Sequence, residues 1–281
     1  MSVKLVADNG STKCSWILLD KGNIKKISTE GLSPYFHTEQ EIRTILEKKL
    51  ISKLSDLKID QVYFYGTGLA DPNYKKMMKA IFKSLFPDAK AEIDTDLMGA
   101  AIATCGHSKG MISILGTGSG CAYFSGTKLN KIQNGLGFIL GDEGSGAYLG
   151  RKVIQYFLYN TFDDELMHRF NLKYETDRAE ILRQIYAGPT PNRYMASFSQ
   201  FLAENRGHYM IENILEDGLN DFINQHIYKF REAWTSPLHF VGSVAYAYRD
   251  VLKELCSNYE LELGTVLKEP IVGLESFYRE N

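Results

Sequence analysis

The chain has 281 residues, which is enough for one large domain or for two domains of ordinary size. Its composition, 44% hydrophobic and 23% charged, is that of a globular protein and excludes an intrinsically disordered chain. The 32 basic and 34 acidic residues give a net charge of -2 with no basic stripe. Nucleic acid and anionic lipid are therefore not expected as partners.

The cysteines lie far apart in the sequence and lack the CxxC or Cys/His spacing of a zinc site: Cys14, Cys105, Cys121 and Cys256. We expect buried free thiols in a reducing compartment. The chain opens into a strand pattern rather than a signal segment, and no apolar run approaches the roughly 20 residues of a membrane span. These features predict a cytoplasmic protein without a membrane partner.

The first third of the chain reads as a three-strand meander followed by alternating helices and strands. Gly10 and Gly22 supply the turns of the meander. The predicted elements in chain order are strands at 3–8, 15–19 and 24–28, a helix carrying apolar positions 42–50, a strand at 61–65, a helix at 74–86, a short strand at 91–93 and a helix at 97–104. This alternation is typical of an α/β domain.

The second part of the chain repeats that pattern after a polar, glycine-bearing break at 105–110. An apolar strand at 111–115, a Gly/Ser/Thr hairpin and a second strand at 121–124 match the opening of the chain, which predicts two related domains.

Residues 165–230 read as mainly helical. One helical stripe there is interpreted as core packing: Ile211, Ile214, Leu215, Leu219, Phe222, Ile223 and Ile227. A last strand at 238–241 then precedes a single helix predicted over 244–258.

Two hairpins rich in small residues are candidates for phosphate binding, because such residues let backbone N–H groups approach an anion. The candidates are Gly10, Ser11, Thr12 and Lys13 in the first hairpin and Gly116, Thr117, Gly118 and Ser119 in the second. The second hairpin matches neither the Walker nor the dinucleotide pattern. An ordinary turn and an exposed lysine remain alternatives. Asp8, which ends the first strand, could hold Mg²⁺ through water.

A third element, Gly242-Ser243, stands at a strand-to-helix junction. Either the glycine lets a flat base lie against the backbone, or Ser243 caps the helix. The order of hairpin, hairpin and strand-Gly-Ser-helix resembles the phosphate-1, phosphate-2 and adenosine motifs of the actin, hexokinase and heat-shock-70 ATPase superfold.

That resemblance implies an α/β fold of two duplicated actin-like ATPase (ribonuclease H-like) domains, with ATP in an interdomain cleft and a helical insertion in the second domain. The expected domains are 1–105 and 106–281, with the insertion at about 165–230. Whether the last helix returns to the first domain is left open.

Two further segments narrow the resemblance. The segment 94–100 is similar to the one that carries the catalytic aspartate of N-acetylglucosamine kinases, which would be Asp96. The segment 134–146, with Gly-Asp-Glu-Gly-Ser at 141–145, resembles the BadF/BadG/BcrA/BcrD ATPase family. The resemblance implies an ATP- and Mg²⁺-dependent sugar kinase that phosphorylates N-acetylglucosamine at the 6-hydroxyl, and a homodimer would be ordinary for it. The implied sugar-binding residues are Asp96, Thr117, Gly118, Gly135, Leu136 and Asp142.

Both key aspartates also have structural readings. Asp96 is either a general base or an N-cap, and Asp94 or Thr95 could cap the following helix equally well. Asp142 is either a sugar ligand or a cap, with Glu143 and Ser145 organising the start of a helix predicted at 147–159.

The sequence departs from the family at three places. Asn9-Gly10-Ser11-Thr12 and Gly242-Ser243 stand where the kinases have consecutive glycines, and 31–35 lacks the asparagine expected to touch the sugar. Two other functions stay open. One is an iron–sulfur ATPase that activates a 2-hydroxyacyl-CoA dehydratase, for which Cys105 and Cys121 would be the thiols to consider. The other is a non-catalytic module that responds to nucleotide or sugar.

Overall fold

The computed structural model describes residues 2–10, 12–34, 37–54 and 57–280. The chain divides into two compact units. Unit 1 consists of Met1–Ser108, Gly126–Lys128 and Glu269–Asn281, and unit 2 consists of Lys109–Ser125 and Leu129–Lys268. The C-terminal segment is thus part of unit 1.

Unit 1 contains a mixed five-stranded sheet with the order β3-β2-β1-β4-β5. The first three strands form an antiparallel meander, and β4 and β5 add to β1 in parallel. The strands are β1 (Lys4–Asn9), β2 (Lys13–Asp20), β3 (Asn23–Glu30), β4 (Gln61–Gly66) and β5 (Lys90–Thr95). The meander predicted from the two glycine turns is confirmed.

The helices of unit 1 begin at identifiable caps. Thr38 and Glu41 form a capping box at the first helix, and Asp71 caps the third with a proline at its first position. The helices are α1 (Glu39–Leu46), which continues through a π-helical turn at Glu47–Ile51 into α2 (Ser52–Leu54), then α3 (Pro72–Leu85), α4 (Asp96–Cys105) and α14 (Pro270–Glu280).

The sheet of unit 1 buries both of its faces. Leu5 and Ala7 pack into one hydrophobic cluster with helices α1 to α3, while Val6 packs into another with α14. This alternation is the period of two that a strand imposes on its side chains. The apolar run of β1 is therefore the centre of the unit rather than its surface.

Unit 2 repeats the topology with the sheet order β10-β9-β6-β7-β8. Its first strand again lies at the centre, with an antiparallel meander on one side and two parallel strands on the other. The strands are β6 (Gly110–Leu115), β7 (Ser119–Phe124), β8 (Leu129–Asn134), β9 (Leu238–Val241) and β10 (Leu263–Leu267). The duplicated α/β fold expected from the repeated pattern is confirmed.

The helices between β8 and β9 supply most of the core of unit 2. All seven residues of the predicted stripe are buried, which confirms their role in packing. The helices of unit 2 are α5 (Gly137–Leu140), α6 (Gly146–Leu158), α7 (Asp164–Lys173), α8 (Arg178–Ala187), α9 (Pro191–Ser197), α10 (Gln200–Glu204), α11 (Tyr209–Gln225), α12 (Ser243–Ala247) and α13 (Arg249–Asn258), with 3-10 turns at Ile227–Lys229 and Arg231–Trp234.

Two predictions near the C-terminus are wrong. The strand at 238–241 is not the last, because β10 pairs with it in parallel. The helix predicted over 244–258 is interrupted at Tyr248, which has φ -113° and ψ 32°. The Tyr248 hydroxyl donates to the carbonyl of Ser199 at 3.0 Å, so a contact distant in sequence accompanies the break.

Candidate functional site

The acidic candidates of unit 1 lie at one edge of its sheet. Strands β1, β4 and β5 run in parallel, and their registers align Asn9 with Gly66 and Gly66 with Thr95. Because carboxyl ends of neighbouring parallel strands share one edge, Asp8 at the end of β1 and Asp96 just after β5 lie at the same edge. Ligands of open α/β sheets bind at this edge.

Electrostatic interactions link these two carboxylates. The pKa of Asp8 is raised to about 7, first because the protein excludes water from it, then because Asp96 and Glu269 add negative charge, while Lys13 opposes the rise. The pKa of Asp96 is also raised, chiefly by loss of water, although backbone N–H groups of Leu97 and its own residue oppose this. This edge therefore favours a proton or a cation.

Asp96 is not the N-cap of α4. That position is taken by Thr95, whose hydroxyl accepts a hydrogen bond from the N–H of Met98 at 3.3 Å. Asp96 is the first helical residue, and its Oδ1 accepts from the N–H of Leu97 at 2.9 Å. Asp94 instead pairs with Lys75 at 3.1 Å. The capping alternative for Asp96 is thus wrong, and its carboxylate is open to another role.

The first hairpin joins β1 to β2 through a tight turn. The N–H of Gly10 donates to the carbonyl of Lys13 at 2.9 Å, and Gly31 N–H donates to the carbonyl of Thr12 at 2.9 Å. The ammonium of Lys13 lies 3.5 Å from Glu269, and both side chains are about half exposed. Ser11, the remaining candidate of this hairpin, lies outside the described residues.

The segment at 31–35 is joined to the end of β1. The N–H of Leu32 donates to Oδ1 of Asn9 at 2.7 Å, and Asn9 and Ser33 are both buried. Asn9 packs closely on Gly66, where a Cβ would lie 2.9 Å from Nδ2 of Asn9. Asn9 therefore connects the end of β1 to two neighbouring segments. Tyr35 lies outside the described residues.

The second candidate hairpin, which joins β6 to β7 in unit 2, packs against the start of α6. The N–H groups of Gly146 and Ala147 donate to the carbonyls of Gly116 and Thr117 at 2.8 and 3.1 Å. The N-cap of α6 is Ser145, whose hydroxyl accepts from Tyr148 N–H at 3.2 Å. Because Ser145 takes the cap, the capping alternative for Asp142 is wrong.

The carboxylate of Asp142 lies against the second hairpin and the end of β8. It accepts hydrogen bonds from the backbone N–H groups of Ser119 and Gly137. A Cβ on Gly118 would lie 2.9 Å from Asp142 Oδ2, and a Cβ on Gly135 would lie 2.2 Å from Oδ1. Gly118, Gly135 and Asp142 are thus brought together, as the sequence predicted, and the two glycines are required for their close contact with the carboxylate.

Two further features describe the environment of Asp142. Its φ is 57°, a left-handed conformation that costs a non-glycine residue roughly 1–2 kcal/mol. Loss of water raises the pKa of Asp142, Glu143 adds to that rise, and the backbone N–H groups and His226 oppose it. Leu136, another candidate, directs an exposed side chain to solvent within unit 2.

The third motif also lies beside the second hairpin. Gly242 has φ 126°, and a Cβ there would lie 2.2 Å from the carbonyl oxygen of Leu115, the last residue of β6. Gly242 is itself the N-cap of α12, and Ser243 is the first helical residue. The alternative that Ser243 caps the helix is therefore wrong, and Gly242 allows the backbone of the junction to approach that of Leu115 closely.

The cysteine predictions bear on the iron–sulfur alternative. All four cysteines are free, and burial raises the pKa of Cys105 to about 11 and that of Cys121 to about 12. Among the described residues, no group of three His, Cys, Asp or Glu side chains is arranged to hold a metal ion. Over the same part of the chain, no helix has the length and apolar character to span a membrane.

Two residues near these sites were not found from the sequence. Glu269 precedes α14 and lies beside Lys13, and His226 follows α11 and contacts Glu143. Each is separated from its partner by more than 80 positions, so no local motif could connect them.

Comparison with solved structures confirms the architecture. A proposed N-acetylglucosamine kinase from Porphyromonas gingivalis is 35% identical, with a TM-score of 0.93, over 100% of this chain and 99% of that one. A ROK family glucokinase from Streptomyces griseus, solved with glucose and AMPPNP, has a TM-score of 0.57 at 15% identity over 100% of both chains, which shows a shared fold only.

Sequence comparisons add a shorter match and a family. Glucosamine kinase GspK of Vibrio cholerae is 31% identical over 114 residues, which is 38% of this chain and 38% of that protein. The family model that describes the BadF/BadG/BcrA/BcrD ATPases matches residues 7–270, a range that contains both hairpins, the Gly-Asp-Glu-Gly-Ser loop and Gly242. The chain therefore belongs to the BadF/BadG/BcrA/BcrD ATPase family.

Proposed function

We propose that this protein is an ATP-dependent kinase that phosphorylates an amino sugar, with N-acetylglucosamine at its 6-hydroxyl as the first substrate to test. The observation that carries the proposal is the pair Asp8 and Asp96 at one sheet edge, both with raised pKa values. The N-acetylglucosamine and glucosamine kinases among the similar proteins support the choice of acceptor.

Asp96 is the proposed general base. Its carboxylate would accept the proton of the acceptor hydroxyl as that oxygen bonds to the γ-phosphorus and the bond to the departing ADP breaks. A raised pKa suits this task, because a base whose pKa lies closer to neutrality accepts a proton more readily. Its position at the start of α4, with Oδ1 fixed by Leu97 N–H, supports a constant orientation.

Asp8 is the proposed holder of Mg²⁺, through water. The residues present fit a divalent cation, because loss of water and two neighbouring carboxylates oppose the ionisation of Asp8, and a positive charge would offset both effects. Bound Mg²⁺ would neutralise charge on the phosphates of ATP.

The remaining assignments follow the motifs. We propose that Gly10, Ser11, Thr12 and Lys13 contact the phosphates of ATP, as do Gly116, Thr117, Gly118 and Ser119. Gly242 and Ser243 would contact the adenosine. Asp142 would accept hydrogen bonds from sugar hydroxyls. The other residues proposed to contact the sugar are Thr117, Gly118, Gly135, Leu136 and Asp96. The cytoplasmic location and the homodimer stay predictions.

A coupled ADP-release screen tests the function. N-acetylglucosamine, N-acetylmannosamine, glucosamine and glucose are each added to the protein with ATP and Mg²⁺, beside an Asp96→Asn variant. We expect at least one amino sugar to raise ADP release with the unchanged protein only. If no sugar raises ADP release, or if the iron content and visible spectrum of anaerobically purified protein show a cluster, the kinase proposal is wrong.

A further inference from the structure

The loop that carries Asp142 is held by one helix end. Gly144 has φ 70°, and a Cβ on it would lie 2.8 Å from Cβ of Phe222, so the backbone of the loop lies directly on α11. Just beyond the loop, the hydroxyl of Tyr148 donates to Asp221 at 2.5 Å. The last two turns of α11 thus support the segment that follows Asp142.

The strand before the loop is attached to the same place. The side-chain amide of Gln133, at the end of β8, donates to the carbonyl of Gln225 at 3.1 Å. Gly135, which packs on Oδ1 of Asp142, lies two residues further along. The C-terminal end of α11 therefore contacts the chain on both sides of the Asp142 carboxylate.

His226, the C-cap residue of α11, makes a side-chain contact with Glu143, the residue next to Asp142. Its Nε2 lies 2.9 Å from Oε2 of Glu143, and its ring stacks on Phe222 with centroids 4.9 Å apart. The histidine is only 3% exposed. The side chain of Glu143 is 21% exposed, so water reaches it only in part and a hydrogen-bond donor stabilises its charge.

The surroundings of Nδ1, the other ring nitrogen of His226, determine which tautomer the ring adopts. Nδ1 of His226 is buried without a hydrogen-bond partner. A proton on Nδ1 would be a buried donor with no acceptor, so the ring is best satisfied as the tautomer that carries its proton on Nε2. In that form the Nε2–H of His226 donates to Oε2 of Glu143.

From these contacts we propose that His226 is a positioning residue for sugar binding. It holds Glu143, and through the adjoining peptide it fixes the orientation of Asp142 against Gly118 and Gly135. This inference rests on the proposed role of Asp142 as a sugar ligand. Without the His226 donor, the side chain of Glu143 would turn toward water. Asp142, whose backbone has a left-handed conformation, would then be followed by a residue that His226 no longer holds in place.

The test compares substitutions of His226 in the full chain. His226→Phe keeps a ring against Phe222 but removes the donor, while His226→Gln keeps an N–H near the position of Nε2. We expect the KM for the sugar to rise about ten-fold or more in the phenylalanine variant, because small displacements of a binding group are costly. The KM for ATP should change less than about two-fold, and His226→Gln should recover most of the sugar affinity.

The same helix offers a matched control. His208, at the N-cap of α11, pairs its Nε2 with Asp163 at 2.9 Å but has no contact with the Asp142 loop among the described residues. His208→Gln should leave both KM values unchanged. Equal effects of the His208 and His226 changes would show that α11 acts only through stability, and would overturn the proposal.

A second readout does not depend on turnover. Hydrogen exchange of the peptide covering 136–147 should accelerate in His226→Phe and stay near the original rate in His226→Gln, because opening of the loop exposes its amides. Unchanged exchange in the phenylalanine variant would contradict the proposal. If Asp142→Asn weakens N-acetylglucosamine binding while His226→Phe does not, only the positioning role fails. If neither weakens it, the sugar-binding role of the loop fails as well.

Discussion

The two units share one topology, and loss of water raises the pKa of the key carboxylate in each, but the partners of the two carboxylates differ. In unit 1, Asp8 faces the charges of Asp96 and Glu269, and its pKa rises to about 7. In unit 2, Asp142 accepts hydrogen bonds from Ser119 and Gly137 and is packed between glycines. The carboxylate of unit 1 is thus in surroundings that favour a cation or a proton. The carboxylate of unit 2 is instead held in one orientation, which suits hydrogen bonding to a neutral ligand.

The largest effect is expected from a substitution of Gly135, which packs on the carboxylate of Asp142. In Gly135→Ala the new Cβ would lie 2.2 Å from Asp142 Oδ1 and 2.4 Å from the carbonyl of Ser119, so the carboxylate must move. We expect a loss of sugar affinity on the order of 100-fold and a decrease of about 1–3 kcal/mol in the free energy of unfolding. Sugar titration and urea unfolding measure the two effects.

Gly120→Ala provides the control for packing. Its Cβ would lie 3.6 Å from the carbonyl of Gln133, an ordinary contact, so we expect the free energy of unfolding to change by less than about 1 kcal/mol. Similar decreases in the free energy of unfolding of both variants would mean that the close contact between Gly135 and Asp142 does not explain the effect of Gly135→Ala.

The charge crowding of unit 1 predicts a pH dependence of stability. Because the pKa of Asp8 in the folded protein is raised above its ordinary value of 3.8, folding favours the protonated form. That contribution is complete below about pH 4 and is lost as the pH rises toward about 7. From Asp8 alone, we expect the free energy of unfolding to fall by an amount on the order of 2–4 kcal/mol across this window.

Urea unfolding at several pH values, with Mg²⁺ absent, measures this fall. Asp8→Asn should flatten it, since the amide cannot ionise, whereas Asp94→Asn removes a carboxylate that already has Lys75 as a partner and serves as the comparison. An unchanged slope in Asp8→Asn would contradict the electrostatic description of this edge.

The smallest expected effect concerns Lys13. Its exposed pair with Glu269 should contribute less than about 1 kcal/mol to folding, so Lys13→Gln should hardly change stability. If Lys13 contacts phosphates, the KM for ATP should nevertheless rise several-fold, since charge-assisted hydrogen bonds are worth roughly twice neutral ones.

Lys26→Gln is the matched change, because Lys26 also pairs with a glutamate of the C-terminal segment, Glu275, at 2.7 Å. Steady-state kinetics with varied ATP separate the two variants. Equal values of KM for ATP would remove Lys13 from the proposed phosphate site.

Much of the fold could be predicted from the sequence. Glycine turns and apolar alternation predicted the meander of unit 1 and the first two strands of the meander in unit 2, and the period of the stripe in α11 predicted its buried face, because these signals are local. Strand β8 was not predicted. The break at Tyr248 could not be predicted, because it coincides with a hydroxyl contact to Ser199 that only the folded chain brings together.

The positions of some candidate site residues could also be predicted from the sequence, but their contacts could not. Asp8 and Asp96 stand in recognisable motifs, so their positions near strand and helix ends followed from the sequence, whereas Asp142 lies in the loop between α5 and α6. Which residue caps each helix did not follow, since Thr95 and Gly242 competed with neighbours of similar capping preference. Glu269 and His226 were missed because their partners are distant in the sequence.

The central claim is that Asp96 accepts the proton during phosphoryl transfer to a sugar. The most direct measurement is kcat with N-acetylglucosamine and ATP for the unchanged protein, Asp96→Asn and Asp94→Asn, with ATP affinity measured separately. The account predicts that Asp96→Asn lowers kcat by roughly 10²–10⁴-fold with ATP affinity retained, while Asp94→Asn keeps its turnover. Full turnover in Asp96→Asn would contradict it.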